Sequence, residues 1–525
     1  MNLGLMILVA ALILLAIIIF ASFANRWRVP LVVVSLFVGM LFGNDVLNVG
    51  NFGQNPGDYG LAQTVANSAL VFVLFVGGFG TKMSRLKMVF GPAMMLASLG
   101  VIITAAVTAF SLYWLLRAVH IDIDGKTSAL IGCIIASTDA AAVFSILRSR
   151  SLDPKMSAAV EVESATNDPM AIILTTIAVG FAVASSDPSV GGGVISWDKA
   201  LGTVGILLWK GFGGLGIGLL VGLVACWLSR FVTNLDKGYF YIYIIAIIML
   251  SFGVAEVAQA SGILSAFAAG FVMGNKNIPY KSTSTTLLDA MSTIGNVVIF
   301  VLLGLLVFPS EFGRFDVFGG GVLLFIILTL VARPIAVFAC TFWARYSFKE
   351  MLFLNWGGLR GAVPIVLATY PAASNIEKSD YIFNIVFFAV LLSMLIQGFT
   401  ITKLADKLKL AVKARSRPKQ VMELVALHNS GMELVEIDVD DEIYNGEALV
   451  SSFHLPKGTT ITMINREDNI QAPTGQTVIK AGDLLYVLVK TEEKDNAMEE
   501  ILRHFRSNTR SMPVITDYEE VDKRR

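Results

Sequence analysis

From Leu3 to about Lys403 one apolar stretch follows another, most of them close to the ~20 residues a helix needs to cross a bilayer. Few patterns constrain a chain more. Backbone N–H and C=O groups find no partner in lipid, so such segments must satisfy themselves within helices or closed barrels. Composition points the same way: 55% of the 525 residues are apolar and 15% are charged, against about 45–50% and about 25% in an average soluble domain. Beyond Lys403 the chain turns polar. The expected fold class is an α-helical polytopic membrane domain over 1–403, a linker at 404–420, a small cytosolic α+β domain at 421–506 and a charged, disordered end at 507–525. Met1–Ala24 lacks a positive n-region and is too long for a cleaved signal, so it reads as the first span.

Charged and turn-rich loops divide the apolar region into thirteen spans, near 3–24, 29–43, 61–80, 89–116, 128–147, 156–181, 201–229, 239–258, 262–274, 286–308, 318–343, 351–369 and 380–402. The segment at 262–274 is short, and without it the count is twelve. Alternate loops carry fourteen Lys and Arg residues, from Arg26 and Arg28 to Arg345 and Lys349, whereas the intervening loops carry five. By the positive-inside rule the basic set and the tail face the cytoplasm, which places the N-terminus outside and the C-terminus inside. An odd count suits two inverted six-span units joined by the span at 201–229, although no internal sequence repeat is visible. The expected location is a bacterial inner membrane, with lipid as the surrounding partner. The net charge of zero says nothing about nucleic acid, which is not an expected partner, and Cys133, Cys226 and Cys340 lie in apolar segments that imply no disulfide framework.

The tail alternates apolar and polar residues along Glu433–Val439 and in parts of 459–465 and 484–490. Turn signals at Asn445-Gly446, Pro456-Lys457-Gly458, Pro473-Thr474-Gly475 and Ala481-Gly482-Asp483 separate these runs. A mostly-β module with a closing helix near 493–506 is expected.

An ionisable group at bilayer depth is costly and needs a partner or a wet cavity. Five qualify: Asp139, Glu163, Asp168, Arg333 and Arg360, whereas Glu161, Lys210 and Glu256 lie nearer span ends. Asp139 follows Ala136-Ser137-Thr138, small residues that suit either helix packing or an unwound backbone whose carbonyls can hold a dehydrated alkali cation. In Glu163-Ser164-Ala165-Thr166-Asn167-Asp168-Pro169, a spacing of four puts Ser164 and Asp168 on one helical face with Asn167 alongside. Carboxylate, hydroxyl and carbonyl oxygens match K⁺ or Na⁺. A bare buried carboxylate is too costly, so Asp168 must hold either a proton or a cation, and that competition is itself an exchange mechanism. The bland alternative is a buried polar hinge. Pro169 would bend the helix and free a carbonyl one turn back. Trp356-Gly-Gly-Leu-Arg360-Gly-Ala-Val-Pro364 reads as a second unwound helix crossing the first at Thr138-Asp139. Arg360 then needs an anion, and Glu163 is the one left if Asp139 and Asp168 serve the cation. Arg333-Pro334 reads equally as functional or as snorkelling to the cytoplasmic face. All four histidines fall in loops or the tail, so carboxylates must carry the protons. The absence of a P-loop or Rossmann fingerprint leaves ATP-driven pumping without support, and that of a Thr-Val-Gly-Tyr-Gly filter does the same for a channel.

Ser-Thr-Asp-Ala at 137–140, Glu-Ser-x-x-Asn-Asp-Pro at 163–169 and Gly-Gly-Leu-Arg-Gly-Ala at 357–362 together resemble the NhaP/NHE-type cation:proton antiporters. The tail at about 421–505, with Val-Ile-Lys-Ala-Gly-Asp-Leu-Leu at 478–485, resembles the TrkA-C (RCK-C) regulatory module, and the combination is similar to bacterial K⁺/H⁺ antiporters of the cell-volume-regulation type. The resemblance implies thirteen helices in inverted repeats with discontinuous crossing helices, a homodimer and elevator-like alternating access. It implies that Thr138, Asp139, Ser164 and Asp168 bind the cation (K⁺ or Na⁺ as cargo), that Asn167 organises the site, and that Glu163 and Arg360 brace it. An Asn-Asp pair in place of two aspartates implies electroneutral exchange, and Ala140, where many Na⁺/H⁺ members carry proline, shifts the expected ion towards K⁺. No resident cofactor and no enzymatic activity are implied. The tail implies control by a small molecule, for instance the nucleotide cyclic di-AMP, with Ile464, Asn465, Arg466 and Asn469 as contacts.

Overall fold

The computed structural model describes the chain from Leu3 to Ile501 apart from residues 26–28, 30, 44, 48–55, 120, 122, 148–150, 187–204, 207, 233–236, 277, 413–420, 424–431, 440–447, 454, 467–468, 481, 491–492, 494–495 and 499. The expected disordered end at 507–525, residues 413–420 of the expected linker and the later part of the closing helix lie outside the described residues, whereas 404–408 continue a helix and 411–412 form a strand. The chain forms two compact units, Met1–Val412 and Lys413–Arg525.

The first unit opens with α1 (Leu3–Asn25), α2 (Leu31–Phe42) and α3 (Pro56–Gly80). Next, α4 (Met83–Met95) and α5 (Val101–Ala118) are continuous through a π turn at Leu96–Gly100. There follow α6 (Gly125–Ile134) and α7 (Ala140–Ile146), separated by a non-helical stretch, and the long α8 (Pro154–Ser186). A π turn at Trp209–Gly213 leads into α9 (Gly214–Val232), then α10 (Lys237–Val257), α11 (Gly262–Asn275) and α12 (Lys281–Leu305). A further π turn at Leu328–Ala332 joins α13 (Phe315–Ile327) to α14 (Arg333–Thr341). The second interrupted pair, α15 (Phe348–Gly357) and α16 (Ala362–Ala373), is bent by 48°. Last, α17 (Ser379–Leu392) runs through a π turn at Ser393–Gln397 into α18 (Gly398–Leu408). Among the described residues nine helical runs are long and apolar enough to cross a bilayer, and the bent pair makes a tenth.

Burial separates rim from centre. In α1 only 11% of the most apolar window is covered, with Ile7, Ile18 and Phe23 facing outwards, whereas 67% of the window in α17–α18 is buried. So much exposed Ile, Leu and Phe would be an aggregation surface in water, and hydrocarbon is the medium that covers it without cost. The polar backbone of the interrupted helices lies at the buried centre, the one place where irregular backbone is tolerated in a membrane domain.

One small ladder ties the end of this unit to the start of α8. β1 (Ser151–Leu152) pairs antiparallel with β2 (Ala411–Val412), and Asp153 N donates to Leu410 O at 3.0 Å. The Asp153 carboxylate then accepts from Lys155 N (2.9 Å) and Met156 N (3.3 Å), capping two of the orphan donors of the first turn of α8.

In the second unit a five-stranded antiparallel sheet has the order β3 (Val421–Glu423), β4 (Met432–Asp438), β9 (Leu484–Lys490), β6 (Thr460–Arg466), β7 (Asn469–Gln471); β5 (Ala448–Leu449) and β8 (Val478–Ile479) form a separate pair. Register places Val435 opposite Val487 and Ile464 opposite Leu485, so alternate apolar residues of β4 and β9 build one buried face, joined by Ile461 and Ile464 from either side of an irregularity in β6.

Candidate ion-binding site

The interruption between α6 and α7 covers Ile135–Asp139, where Ser, Thr and Asp side chains offer the backbone alternatives to helical bonding. Asp139 ends the break by capping α7, its Oδ1 accepting from Ala142 N at 3.1 Å. The second break, Gly358–Gly361, meets the first: Asp139 N donates to Leu359 O at 2.8 Å. Glycine is required where they touch. A Cβ on Gly361 would lie 1.9 Å from Asp139 Oδ2 and 2.5 Å from its Cβ.

The middle of α8 closes the site from a third side. Asn167 reads Thr138 twice, its Nδ2 donating to Thr138 Oγ1 (2.6 Å) and its Oδ1 accepting from Thr138 N (3.3 Å). Ser164 Oγ donates to Thr138 O (2.8 Å) and accepts from Ala140 N (2.9 Å). Thr138, Ser164, Asn167 and Asp168 are all buried. The helix continues through Pro169 as one element, Pro154–Ser186. Asp168 is only 9% exposed, and its Oδ1 has no hydrogen-bond partner. Among the described residues no three His, Cys, Asp or Glu side chains converge. The donors are carbonyls, hydroxyls, an amide and carboxylates, the hard oxygens that suit an alkali cation.

The expected Glu163–Arg360 brace is not formed. Glu163 Oε1 accepts from Arg333 Nη1 at 2.6 Å, both side chains being about 4% exposed. Arg333 Nη2 also donates to Leu354 O (3.1 Å), which ties α14 to the last turn of α15. Arg360, fully buried, instead gives Nη1 to Ala136 O (2.9 Å) and to Ser137 O. The reason is local: unwinding at Ile135–Asp139 strips those carbonyls of helical donors, and an arginine on the opposing break is the nearest donor fork. The Nε and Nη2 atoms of Arg360 have no hydrogen-bond partner.

Sequence reasoning left Arg333 undecided and missed Ser393 and Gln397. Ser393 Oγ accepts from Arg360 N (3.2 Å) and donates to Gln397 Oε1 (2.5 Å). An Arg inside a long apolar run was signal enough that Arg333 must find an acceptor there, either a carboxylate or backbone carbonyls. For Ser393 and Gln397 the signal is their position in a π turn, which sequence does not reveal. Lys210 sits in the turn before α9, and Glu256 caps α11 by accepting from Gly262 N (3.1 Å), apart from this cluster.

The candidate regulatory contacts in the second unit are largely committed to its own fold. Ile464 is buried in the sheet core, and Arg466 forks onto Asp483 with both contacts at 2.7 Å while donating to Val478 O. Asn465 keeps a buried Oδ1 without a partner, and Asn469 is exposed on β7.

Two interrupted helices whose breaks touch, flanked by a buried carboxylate, are the arrangement in which membrane carriers hold a small ion near mid-membrane. The chain belongs to the sodium/hydrogen exchanger family, whose transmembrane model matches residues 10–407. It is 32% identical over 486 residues to the K(+)/H(+) antiporter NhaP2 of Shewanella sp. (strain ANA-3), covering 92% of this chain and 80% of that protein. It is 31% identical over 490 residues to the K(+)/H(+) antiporter NhaP of Alkalimonas amylolytica, covering 93% and 81%. A Na(+)/H(+) antiporter, NhaH of Halobacillus dabanensis, is 29% identical over 323 residues, 60% of this chain and 75% of that protein. The fold is similar to that of the sodium proton antiporter MjNhaP1 from Methanocaldococcus jannaschii at pH 8, with a TM-score of 0.64 at 21% identity over 77% of this chain and 99% of that one.

Proposed function

We propose that the chain exchanges cytoplasmic K⁺ for H⁺ one for one, with the two ions competing for Asp168. The observation that carries this reading is the unpartnered, buried Oδ1 of Asp168, one residue from the Asn167 that grips Thr138 at the meeting of two broken helices. An anionic carboxylate without a donor is costly there, so it is relieved either by a proton or by a cation. The hydroxyls of Thr138 and Ser164 and the carboxylate of Asp139 complete an oxygen set for a dehydrated alkali ion. Arg360, bonded to Ala136 O and Ser137 O, holds the unwound segment, and the Glu163–Arg333 pair fixes α8 against α14.

The preference for K⁺ rests on the relatives matched over 80% and 81% of their length, which carry that ion in their names; Na⁺ is the alternative, favoured by the NhaH relative. Thirteen spans are part of the proposal: to the ten runs above it adds the short apolar helices Leu31–Phe42 and Gly262–Asn275 and the interrupted pair α6–α7. With the basic-loop bias this orients the chain N-terminus out and C-terminus in, in a bacterial inner membrane. We further propose a homodimer with elevator-like access and an RCK-C-like second unit that takes a small regulator of the cyclic di-AMP type.

A pH-gradient assay in everted vesicles, titrating K⁺, Na⁺, Li⁺ and Rb⁺, tests the reading. K⁺ should dissipate the gradient at the lowest concentration, and dissipation by Na⁺ but not K⁺ would overturn the ion assignment. Asp168→Asn should abolish exchange with every ion while the protein still reaches the membrane; retained exchange sinks the mechanism.

A further inference from the structure

A second feature of the membrane unit lies on the other side of α8. Faces of α4, α8, α9 and α11 surround an elongated cavity of about 650 Å³ with almost no polar surface. Its walls run from Leu86 to Ile102 and from Val162 to Ile177, which at ~1.5 Å per residue is about 24 Å and about 22 Å of helix. That is most of the ~30 Å hydrocarbon thickness. Small residues, Ala97, Gly211 and Ala268, give the slot its width, while Phe90 and Phe212 line it and are themselves exposed, so it opens sideways. Water has no polar partners there. An unfilled slot forfeits dispersion contacts along its whole length. In a bilayer the apolar material at such an opening is an acyl chain.

One end of the slot is basic. Thr81 and Leu86 line it, and the neighbouring Lys82 and Lys87 are exposed. Met83 N donates to Asn275 Oδ1 (2.7 Å) and Asn275 Nδ2 to Thr81 O (2.8 Å), which ties this end to the one bearing Lys276 and Lys281. None of these four lysines takes part in an ion pair among the described residues. Burial, and then the charge of Lys82, pull the Lys281 ammonium below its ordinary range. Lys281 Nζ donates to two backbone carbonyls, Gly274 O (2.5 Å) and Lys276 O (3.1 Å), and among the described residues no carboxylate pairs with the cluster.

We propose that the slot is a lipid-binding site: one acyl chain of an anionic phospholipid fills the cavity and its headgroup sits among Lys82, Lys87, Lys276 and Lys281. Hydrocarbon gains little by moving from bilayer to protein, so the chain supplies fit and the lysines supply the headgroup preference. Pro169, next to Asp168, is part of the wall, so the occupant touches the ion-site helix one residue from its carboxylate. This inference rests on the membrane reading of these helices but not on which ion is exchanged.

The test uses the purified full chain, delipidated in detergent, and native mass spectrometry with dioleoyl phosphatidylglycerol, dioleoyl phosphatidylcholine or free glycerol 3-phosphate. Phosphatidylglycerol should be retained about tenfold more tightly than phosphatidylcholine, and glycerol 3-phosphate should not be retained. Lys82→Gln with Lys87→Gln should erase the difference, and Ala268→Phe, which fills the slot, should weaken retention of both lipids. Because Ala268→Phe could fail to fold, a phosphatidylglycerol with a photoreactive diazirine in its acyl chain is also crosslinked to the unaltered protein. Adducts should fall on the peptides bearing Met94 and Met170. Equal retention of the two lipids, retention of glycerol 3-phosphate alone, or adducts confined to α1 and α10 would each overturn the proposal. Lipid retention by Asp168→Asn should match that of the unaltered chain, which keeps failure here separate from failure of the antiport reading.

Discussion

At Asp168 a carboxylate is held where it has neither solvent nor a donor for one oxygen, while the neighbouring Asn167 is fully committed to Thr138. The residue types of this cluster were legible because acids and hydroxyls are anomalous in an apolar run. Their pairing was not. Helices that are apolar all round carry no periodicity to say which way a charged side chain points, so Glu163 was assigned to Arg360 although Arg333 holds it. The corrected pair makes a sharp prediction. Removing one member of a buried ion pair leaves an uncompensated charge and costs about 3–5 kcal/mol. Glu163→Ala and Arg333→Ala should each lower the melting midpoint in detergent, and Glu163→Arg with Arg333→Glu should recover much of the loss. Combining Glu163→Arg with Arg360→Glu should recover none, and rescue by that combination would restore the original pairing.

Among the elements, the two interrupted helices were visible in sequence as Ser-Thr-Asp and Gly-Gly-Leu-Arg-Gly, since each interrupts an apolar run with residues that favour non-helical backbone. The π turns at Leu328–Ala332 and Ser393–Gln397, which precede Arg333 and contain Ser393, left no such mark because they keep helical composition. The crossing itself is testable at Gly361, where an added methyl would meet Asp139 Oδ2 at 1.9 Å. Gly361→Ala should cost about 1–3 kcal/mol as an overpacking change and reduce exchange in vesicles. A variant with full activity and an unchanged midpoint would mean that the breaks do not touch. The start of α8 offers a milder case. Asp153→Ala removes the cap over Lys155 N and Met156 N, a loss of about 1 kcal/mol. Amide exchange in the first turn of α8 should quicken accordingly, and unaltered protection would show that β1–β2 pairing alone secures it.

For the whole molecule, runs of apolar length carried the helical membrane unit, and period-two runs carried the sheet of the second unit, because both are set by which medium each face meets. Long-range register, such as the β1–β2 ladder joining residues 151–152 to 411–412, has no local signal. What the assembled site dictates is a kinetic law. If proton and cation exclude one another at Asp168, only the ionised fraction of carriers is competent to bind the cation. Below the carboxyl's ionisation that fraction falls tenfold per pH unit, and the apparent KM for the cation rises by about tenfold per unit. The sign is fixed: acid on the cation-binding side weakens binding, alkali strengthens it until the carboxylate is fully ionised. Because saturating cation displaces the proton, the maximal rate at that side should not change. Initial rates in everted vesicles, measured against cation concentration at several pH values, separate the cases. A family of curves that meet at one maximal rate supports a single shared site, whereas a constant KM with a pH-dependent maximal rate would require the proton to bind elsewhere.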